Sequence, residues 1–123
     1  QWVMKCTKAV TMKLDAKLRT VWSRKYKPAS RDAAVGEYIA RDGAGNVYVG
    51  GFTSRYTSTK AAFLTIKYSA TGALRWVRAW APGGGSANRP ARLVLGSKGG
   101  VYVGGWAESK GGVHQAVLLK YRR

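Results

Sequence analysis

The chain has 123 residues, the size of one domain or of part of a larger one. Apolar residues make up 46% of it, which excludes a disordered tail, and no apolar run approaches the ~18 residues that a membrane helix needs. Twenty-two Lys and Arg stand against five Asp and Glu, a net charge of +17, which favours nucleic acid, anionic glycans or anionic lipid headgroups as partners. A solvated basic surface without a specific partner is the alternative.

Period-two alternation and enrichment in β-branched and aromatic residues predict strands, and no window of about 11 residues sustains the spacing of an amphipathic helix. In chain order the predicted strands are 9–14, 18–26, 37–41, 46–53, 62–68, 73–80, 91–95, 100–107 and 115–121. Short segments such as 42–45 and 96–99 join them and are rich in residues that accept positive φ. The sequence therefore predicts an all-β fold.

Two sequence patterns recur at the same spacing along the chain, called the repeat offset below. GNVYVGGF at 45–52 returns as GGVYVGGW at 99–106 with six of the eight positions identical, which gives a repeat offset of 99 − 45 = 54. KLD followed by WSRKY within 13–26 matches KYS followed by WVRAW within 67–80 at the same offset. Two independent matches at one spacing are hard to obtain by chance, so the chain contains an internal repeat.

One period is predicted to hold four strands, which is the unit of a β-propeller blade. VYV at 47–49 is apolar on both faces and needs cover on both sides, which stacked four-stranded sheets supply. The glycine pairs at 50–51 and 104–105 fit a close approach of two backbones or a β-bulge. A third trace of the repeat, LLKY at 118–121, echoes TIKY at 65–68 one position short of the repeat offset. A β-sandwich is the competing architecture.

Three segments carry a resemblance to a known family. DxxGNVYVxG at 42–51, FLTIKY at 63–68 and GxLxW at 72–76 resemble the SBBP-type β-propeller repeat of bacterial secreted and envelope proteins. The resemblance implies a propeller with a scaffold or binding role and no defined activity. The second copy departs from the pattern, because Gly96 and Gly100 replace the usual acidic and Asn residues of the turn, so an ion site using that carboxylate is not expected there.

The predicted organisation is a half blade at 9–26, a full blade at 36–80 and an incomplete blade at 90–121, about two and a half blades. Propellers usually close with four to eight blades, so this length does not complete a ring. Other copies of the chain, or neighbouring blades of a longer chain, would have to close it. The family resemblance favours an extracellular or cell-envelope location.

Catalytic groups are scarce. His114 is expected at the edge of a loop, and Cys6 is expected to be a packed or partly exposed thiol. Neither residue stands near carboxylates at the spacing of a catalytic triad, a zinc site or a metal loop. GGG at 83–85 precedes no helix, which indicates a loop and not a phosphate cradle. The sequence predicts a non-catalytic protein without cofactor or metal.

The predicted fourth strand of each blade carries alternating aromatic and arginine residues, called the ladder below. Its members are Trp22, Arg24 and Tyr26 in one copy and Trp76, Arg78 and Trp80 in the other. Recurrence at the repeat offset favours a packing device between blades. The functional alternative is a stacking platform for sugars or unpaired bases, with arginine bound to phosphate or carboxylate.

Further basic residues are predicted to lie in connections between strands, where equivalent positions would share one rim and form a patch. These residues are Lys27, Arg31, Arg55, Arg89 and Arg92. Scattered solvated charge is the alternative. Arg122 and Arg123 are expected to belong to a flexible end.

The leading functional hypothesis is a structural or interaction module of a bacterial secreted or envelope-associated propeller. Its basic surface would contact an anionic polymer, either an acidic glycan or a nucleic acid, or another protein subunit. Two alternatives remain open: a component of a nucleic-acid or ribonucleoprotein complex, and an oligomeric propeller lectin.

Overall fold

The computed structural model describes residues 7–28, 33–54, 60–82 and 87–123. Within those ranges the chain forms nine β-strands and no helix, so the all-β prediction is confirmed. The strands are β1 (Ala9–Leu14), β2 (Thr20–Tyr26), β3 (Ala33–Arg41), β4 (Val47–Ser54), β5 (Ala61–Tyr68), β6 (Leu74–Trp80), β7 (Asn88–Leu95), β8 (Gly100–Glu108) and β9 (His114–Arg122). Each overlaps a predicted strand, and β3 and β7 begin earlier than predicted.

The described strands pair antiparallel into three sheets. The first sheet has the order β1-β2, the second β3-β4-β5-β6 and the third β7-β8-β9. Strands that are consecutive in the chain are therefore neighbours in the sheet. As a result, the β3–β4 and β5–β6 loops lie at one end of the second sheet, and the end of β4 and the start of β5 lie at the other.

The second sheet is covered on both faces. One cluster of buried residues joins the first and second sheets and contains Ala9, Trp22, Ala34, Val47, Val49, Leu64, Ile66 and Tyr68. The other joins the second and third sheets and contains Tyr48, Phe63, Leu93, Val101 and Val103. Successive residues of a strand point to opposite faces, so Tyr48 and Val49 place the two clusters on the two sides of β4. This two-sided cover is what the apolar VYV segment predicts.

A β-bulge occurs at the same repeat position in the second and third sheets. The pairing of β3 with β4 shifts between Gly36 and Tyr38, and that of β7 with β8 shifts at the equivalent step, one repeat offset later. A Cβ added to Gly51 or to Gly105 would overlap a backbone carbonyl oxygen of the bulged strand. Both glycines are needed because a backbone passes where a side chain would begin, as the glycine pairs predicted.

Five hairpin loops of the described chain share one hydrogen-bond pattern. In each, the N–H of the first residue donates to the carbonyl of the fifth, and the N–H of the fourth donates to the carbonyl of the first. The fourth residue has positive φ, as in the common hairpin loop that combines a type I turn with a left-handed residue. The five loops begin at Asp15, Asp42, Ser69, Gly96 and Ser109. The first four start points are evenly spaced along the chain, at half of the repeat offset.

Candidate binding surface

The first copy of the ladder packs against the second sheet. Trp22 is 7% exposed, and its Nε1 donates to a carbonyl oxygen of the β5–β6 loop at 3.2 Å. The Nε of Arg24 donates to the carbonyl of Gly72 in the same loop at 2.6 Å. The Trp22 ring centroid lies 6.0 Å from that of Tyr68, and Tyr26 is partly buried against the same cluster. These side chains therefore hold the first sheet to the second.

The second copy repeats this contact one sheet further on. The ring centroids of Trp76 and Tyr121 of the third sheet are 6.1 Å apart, close to the ring distance in the first copy. Arg78 lies 5.6 Å from the Trp76 ring, and Trp80 meets Phe63 edge-on with centroids 5.7 Å apart. In both copies the ladder thus makes packing contacts. Binding of a sugar or a base by these residues stays a prediction.

The basic residues predicted in connections are described only in part. Lys27 directly follows β2 and is exposed. Arg31 and Arg55 lie outside the described residues, as does Cys6. A basic patch along one rim therefore stays a prediction.

Arg89 and Arg92 do not lie in a connection, so that prediction is wrong. Both belong to β7, which begins at Asn88 and continues through its bulge. Pro90 suggests a loop in the sequence, but β7 is an edge strand among the described strands, where a missing N–H removes no hydrogen bond to a second neighbour. Both arginines are exposed.

The expectation of a flexible C-terminal end is also wrong for its two arginines. Arg122 belongs to β9, where it pairs with Gly100. The N–H of Arg123 donates to the carbonyl of Gly99 at 3.0 Å, and its guanidinium donates to the carbonyl of Gly96 at 2.7 Å. The pairing of β8 with β9 continues beyond the last apolar residue of β9. It therefore holds Arg122 and Arg123 in place, although the sequence predicts a flexible end there.

A carboxylate organises the β3–β4 loop. Oδ1 of Asp42 accepts the N–H groups of Ala44 and Asn46, and Oδ2 accepts the side-chain amide of Asn46 and the hydroxyl of Tyr48. These hydrogen bonds, that of the Asn46 side chain above all, lower the pKa of Asp42 to about 2, although partial burial acts in the opposite direction. Burial, together with the hydrogen bond to Asp42, raises the pKa of Tyr48 to about 12.

A cavity of about 420 Å³ lies between the second and third sheets. Its lining includes Phe52, Asn88, Arg89 and Trp106. The side-chain amide of Asn88 donates to the carbonyl of Ala61 at 2.6 Å, while its Oδ1 is buried and has no hydrogen-bond partner among the described residues. The cavity lining thus combines two aromatic rings with a cation.

Two ring contacts define the wall of this cavity. The guanidinium of Arg89 lies 4.5 Å from the Phe52 ring and 3.3 Å from Glu37, which holds it across the two sheets. Trp106 stacks on His114 with ring centroids 4.4 Å apart. This cavity is not among the sites predicted from the sequence, although Phe52 and Trp106 are related by the repeat offset. That pairing of aromatic residues is the signal that would have found it.

The part of the chain that the structure describes contains no group of three or more His, Cys, Asp or Glu side chains able to hold a metal ion. A helix long and apolar enough to cross a membrane is likewise missing from the described ranges.

No family model matches the chain, and no curated protein is significantly similar to it. The resemblance to SBBP-type repeats, with the bacterial secreted or envelope setting that it implies, therefore stays a prediction.

Proposed function

We propose that this chain is a non-catalytic module of β-propeller type that contacts an anionic polymer through its basic surface. The propeller interpretation is supported by a four-stranded antiparallel sheet covered on both faces and by inter-sheet contacts that recur with the sequence repeat. Copies of the chain, or further blades of a longer one, would complete the ring.

The observation that carries the polymer proposal is the charge. If every carboxylate of the chain paired with one cation, 22 − 5 = 17 positive charges would still be uncompensated. Three of the acidic groups that the structure describes are also engaged within the fold, since Asp15 pairs with Arg19 at 2.7 Å, Glu37 with Arg89 at 3.3 Å, and Asp42 organises its loop. The field of the remaining cations is therefore available to an external polyanion.

Among polyanions, an acidic glycan is favoured over a nucleic acid. Proteins that bind single-stranded nucleic acid stack bases on exposed aromatic rings. Trp22 is buried, and Trp76 and Trp80 are partly buried and contact neighbouring aromatic rings, so packing within the fold takes up much of the ladder's ring surface. A bacterial envelope setting, as the family resemblance implies, also favours a glycan.

Binding measured as a function of salt tests this proposal. Polygalacturonate, which is carboxylated, and a single-stranded RNA would be titrated by calorimetry between 50 and 300 mM NaCl. We expect polygalacturonate to bind with an affinity that falls linearly on a log–log plot against salt. The proposal would be contradicted if neither polymer bound at 50 mM NaCl, or if the affinity did not change with the salt concentration. Tighter binding of RNA would favour the nucleic-acid alternative.

The cavity between the second and third sheets favours neutral-sugar binding as a second candidate function. The partly exposed ring of Trp106 and the ring of Phe52 lie in its lining and would make stacking contacts with a sugar. Because these contacts carry no net charge, binding of a neutral oligosaccharide would persist in 1 M NaCl. Trp106→Ala would abolish it, whereas Tyr102→Ala, on the same strand and outside the cavity lining, would not.

A further inference from the structure

The β7–β8 loop lacks the carboxylate that organises its counterpart in the second sheet. Gly96 and Gly100 occupy the positions that Asp42 and Asn46 occupy one repeat offset earlier. The two loops nevertheless share the same backbone hydrogen bonds and the same positive φ at the fourth residue. The β7–β8 loop therefore has the backbone conformation of the β3–β4 loop but not its carboxylate.

The donors that meet the carboxylate in the second sheet are still present in the third. In the β3–β4 loop, Asp42 accepts the N–H groups of the third and fifth residues of the loop and the hydroxyl of Tyr48. The corresponding donors are the N–H groups of Lys98 and Gly100 and the hydroxyl of Tyr102. Residue 96, as glycine, offers them no side-chain acceptor.

The ring of Tyr102 lies in the space that the missing side chains leave. A Cβ added to Gly96 would be 2.7 Å from Cε2 of Tyr102, and one added to Gly100 would be 2.6 Å from the same atom. Tyr102 is only partly buried, whereas its counterpart Tyr48 is fully buried against the third sheet. An anion bound in the loop would have to displace this ring, whose hydroxyl corresponds to the one that Tyr48 donates to Asp42.

Four cationic side chains surround the loop. An open cavity of about 360 Å³ lies beside it and is lined by Lys98, Lys120, Arg122 and Arg123, with no acidic residue among its described lining. Arg123 already donates to the carbonyl of Gly96, which places its other N–H groups next to the loop. The second sheet has Ala44 where this loop has Lys98, so the positive charge has grown where the carboxylate was lost.

We propose that this loop and its cations, called the β7–β8 cradle, bind a carboxylate of an acidic polymer in the place of the missing Asp side chain. Charge-assisted hydrogen bonds to N–H groups and guanidinium groups would hold it, as they hold Asp42 in the second sheet. The inference rests on the proposed function, because it names the group of the polymer that this surface recognises and where it binds.

Two variants at one position test the cradle. Gly96→Asp supplies the missing carboxylate from the chain itself, and Gly96→Asn adds a side chain of the same shape without charge. The φ of Gly96 is not in the left-handed region, so its backbone accepts both residues, and both require the Tyr102 ring to move. Gly43→Asp adds a carboxylate in open space on the β3–β4 loop and controls for the change in net charge. The probe is a galacturonate oligomer, with its methyl ester as the uncharged control.

We expect Gly96→Asp to weaken binding of the galacturonate oligomer at least about tenfold relative to the wild type, with a smaller loss in Gly43→Asp. Gly96→Asn should weaken it as well, because its side chain fills the same place without adding a charge. In NMR titrations with the oligomer or with acetate, the amide signals of Lys98 and Gly100 should shift in the wild-type protein and not in Gly96→Asp. If Gly96→Asp does not fold, Lys98→Ala should show the same loss of affinity.

The outcomes separate the cradle from the proposed function. Equal affinity of Gly96→Asp and Gly43→Asp for a polymer that binds the wild type would overturn the cradle and leave polymer binding intact. Acetate shifts confined to Lys98 and Gly100 in a protein that binds no polymer would support the cradle and overturn the proposed function. Absence of both responses would overturn both.

Discussion

Strands β5 and β9 have the same pattern and the same place in their sheets, yet only β5 is buried. Thr65 lies opposite Gly50 and Leu118 lies opposite Gly104, so the strand pairing makes Thr65 and Leu118 equivalent. Thr65 is fully buried, while Leu118 is 71% exposed. β5 has paired strands on both edges and a sheet on each face, whereas β9 is an edge strand of the described sheets with one face covered. Neighbouring sheets, rather than the polarity of the side chain, decide what is buried in this fold.

The largest effect is expected from shortening a side chain of the buried strand. Ile66 is fully buried, so Ile66→Ala should lower the free energy of unfolding by about 3–4 kcal/mol. Its equivalent Leu119 is partly buried, and Leu119→Ala should cost about half as much; Leu118→Ala should cost almost nothing. Urea denaturation at pH 7 measures all three. Equal losses in the free energy of unfolding for Ile66→Ala and Leu119→Ala would contradict the claim that β5 is more deeply buried than β9.

A second pair of variants isolates the contact between sheets. A Cβ on Gly50 would meet Cδ1 of Leu93 in the third sheet at 3.1 Å, whereas a Cβ on Gly104 would have no neighbour closer than 4.0 Å among the described residues. Gly50→Ala should therefore cost about 1–3 kcal/mol through overpacking. Gly104→Ala should be neutral or slightly stabilising, because it restricts the unfolded chain. Thermal melting would reveal the difference, and a larger loss at Gly104 would contradict it.

The acidic and glycine loops should differ in their response to pH. The folded-state pKa of Asp42 is lowered from 3.8 to about 2, so its stabilising contribution is present above pH 4 and is lost as the pH falls towards 2. Asp42→Asn should cost about 1 kcal/mol at pH 7 and reduce the loss of stability between pH 4 and 2. Denaturation at several pH values measures both. Asp15, whose pKa is also lowered, keeps some acid sensitivity in the variant.

The smallest expected effect is in the first sheet and is a gain. Leu18 has a φ of 61° at the loop position where Gly72 stands one repeat offset later. A left-handed conformation is unfavourable for leucine, and the side chain is 79% exposed, so it loses little packing when removed. Leu18→Gly should therefore raise the free energy of unfolding by about 0.5–1 kcal/mol. A lower melting temperature for this variant would show that exposed Leu18 makes a contact that its loop position does not suggest.

Most of the fold could be predicted because it follows from local chemistry. The alternation of apolar and polar residues predicts all nine strands of the described ranges. The repeated glycine pairs predict the close backbone contacts at the bulges. The even spacing of the loops at half the repeat offset is not evident in the sequence, because the loops share no single first or fourth residue. Asp15, Ser69 and Gly96 begin three of them, and Leu18 stands where the others have glycine. Their common feature is a backbone conformation that several sequences adopt.

The candidate sites could be predicted only in part. The ladder is visible in the sequence because it recurs, but whether its rings face a ligand or a sheet depends on tertiary packing. The cavity at Asn88 brings together residues of β4, β7 and β8, and no motif joins them. The replacement at Gly96 is visible in the sequence, but its meaning depends on Arg122 and Arg123, which the end of β9 brings to the loop.

The pairing of β9 also affects how the copies are compared. Tyr68 lies opposite Val47 and Tyr121 opposite Val101, so this pair of tyrosines is separated by one position less than the repeat offset. The missing residue falls in the connection, since 109–113 is one residue shorter than 55–60. The difference in length between the two copies thus lies between the strands and not within them. A chimera that exchanges strands between the copies must be aligned by strand pairing, because counting residues would turn its side chains to the wrong face.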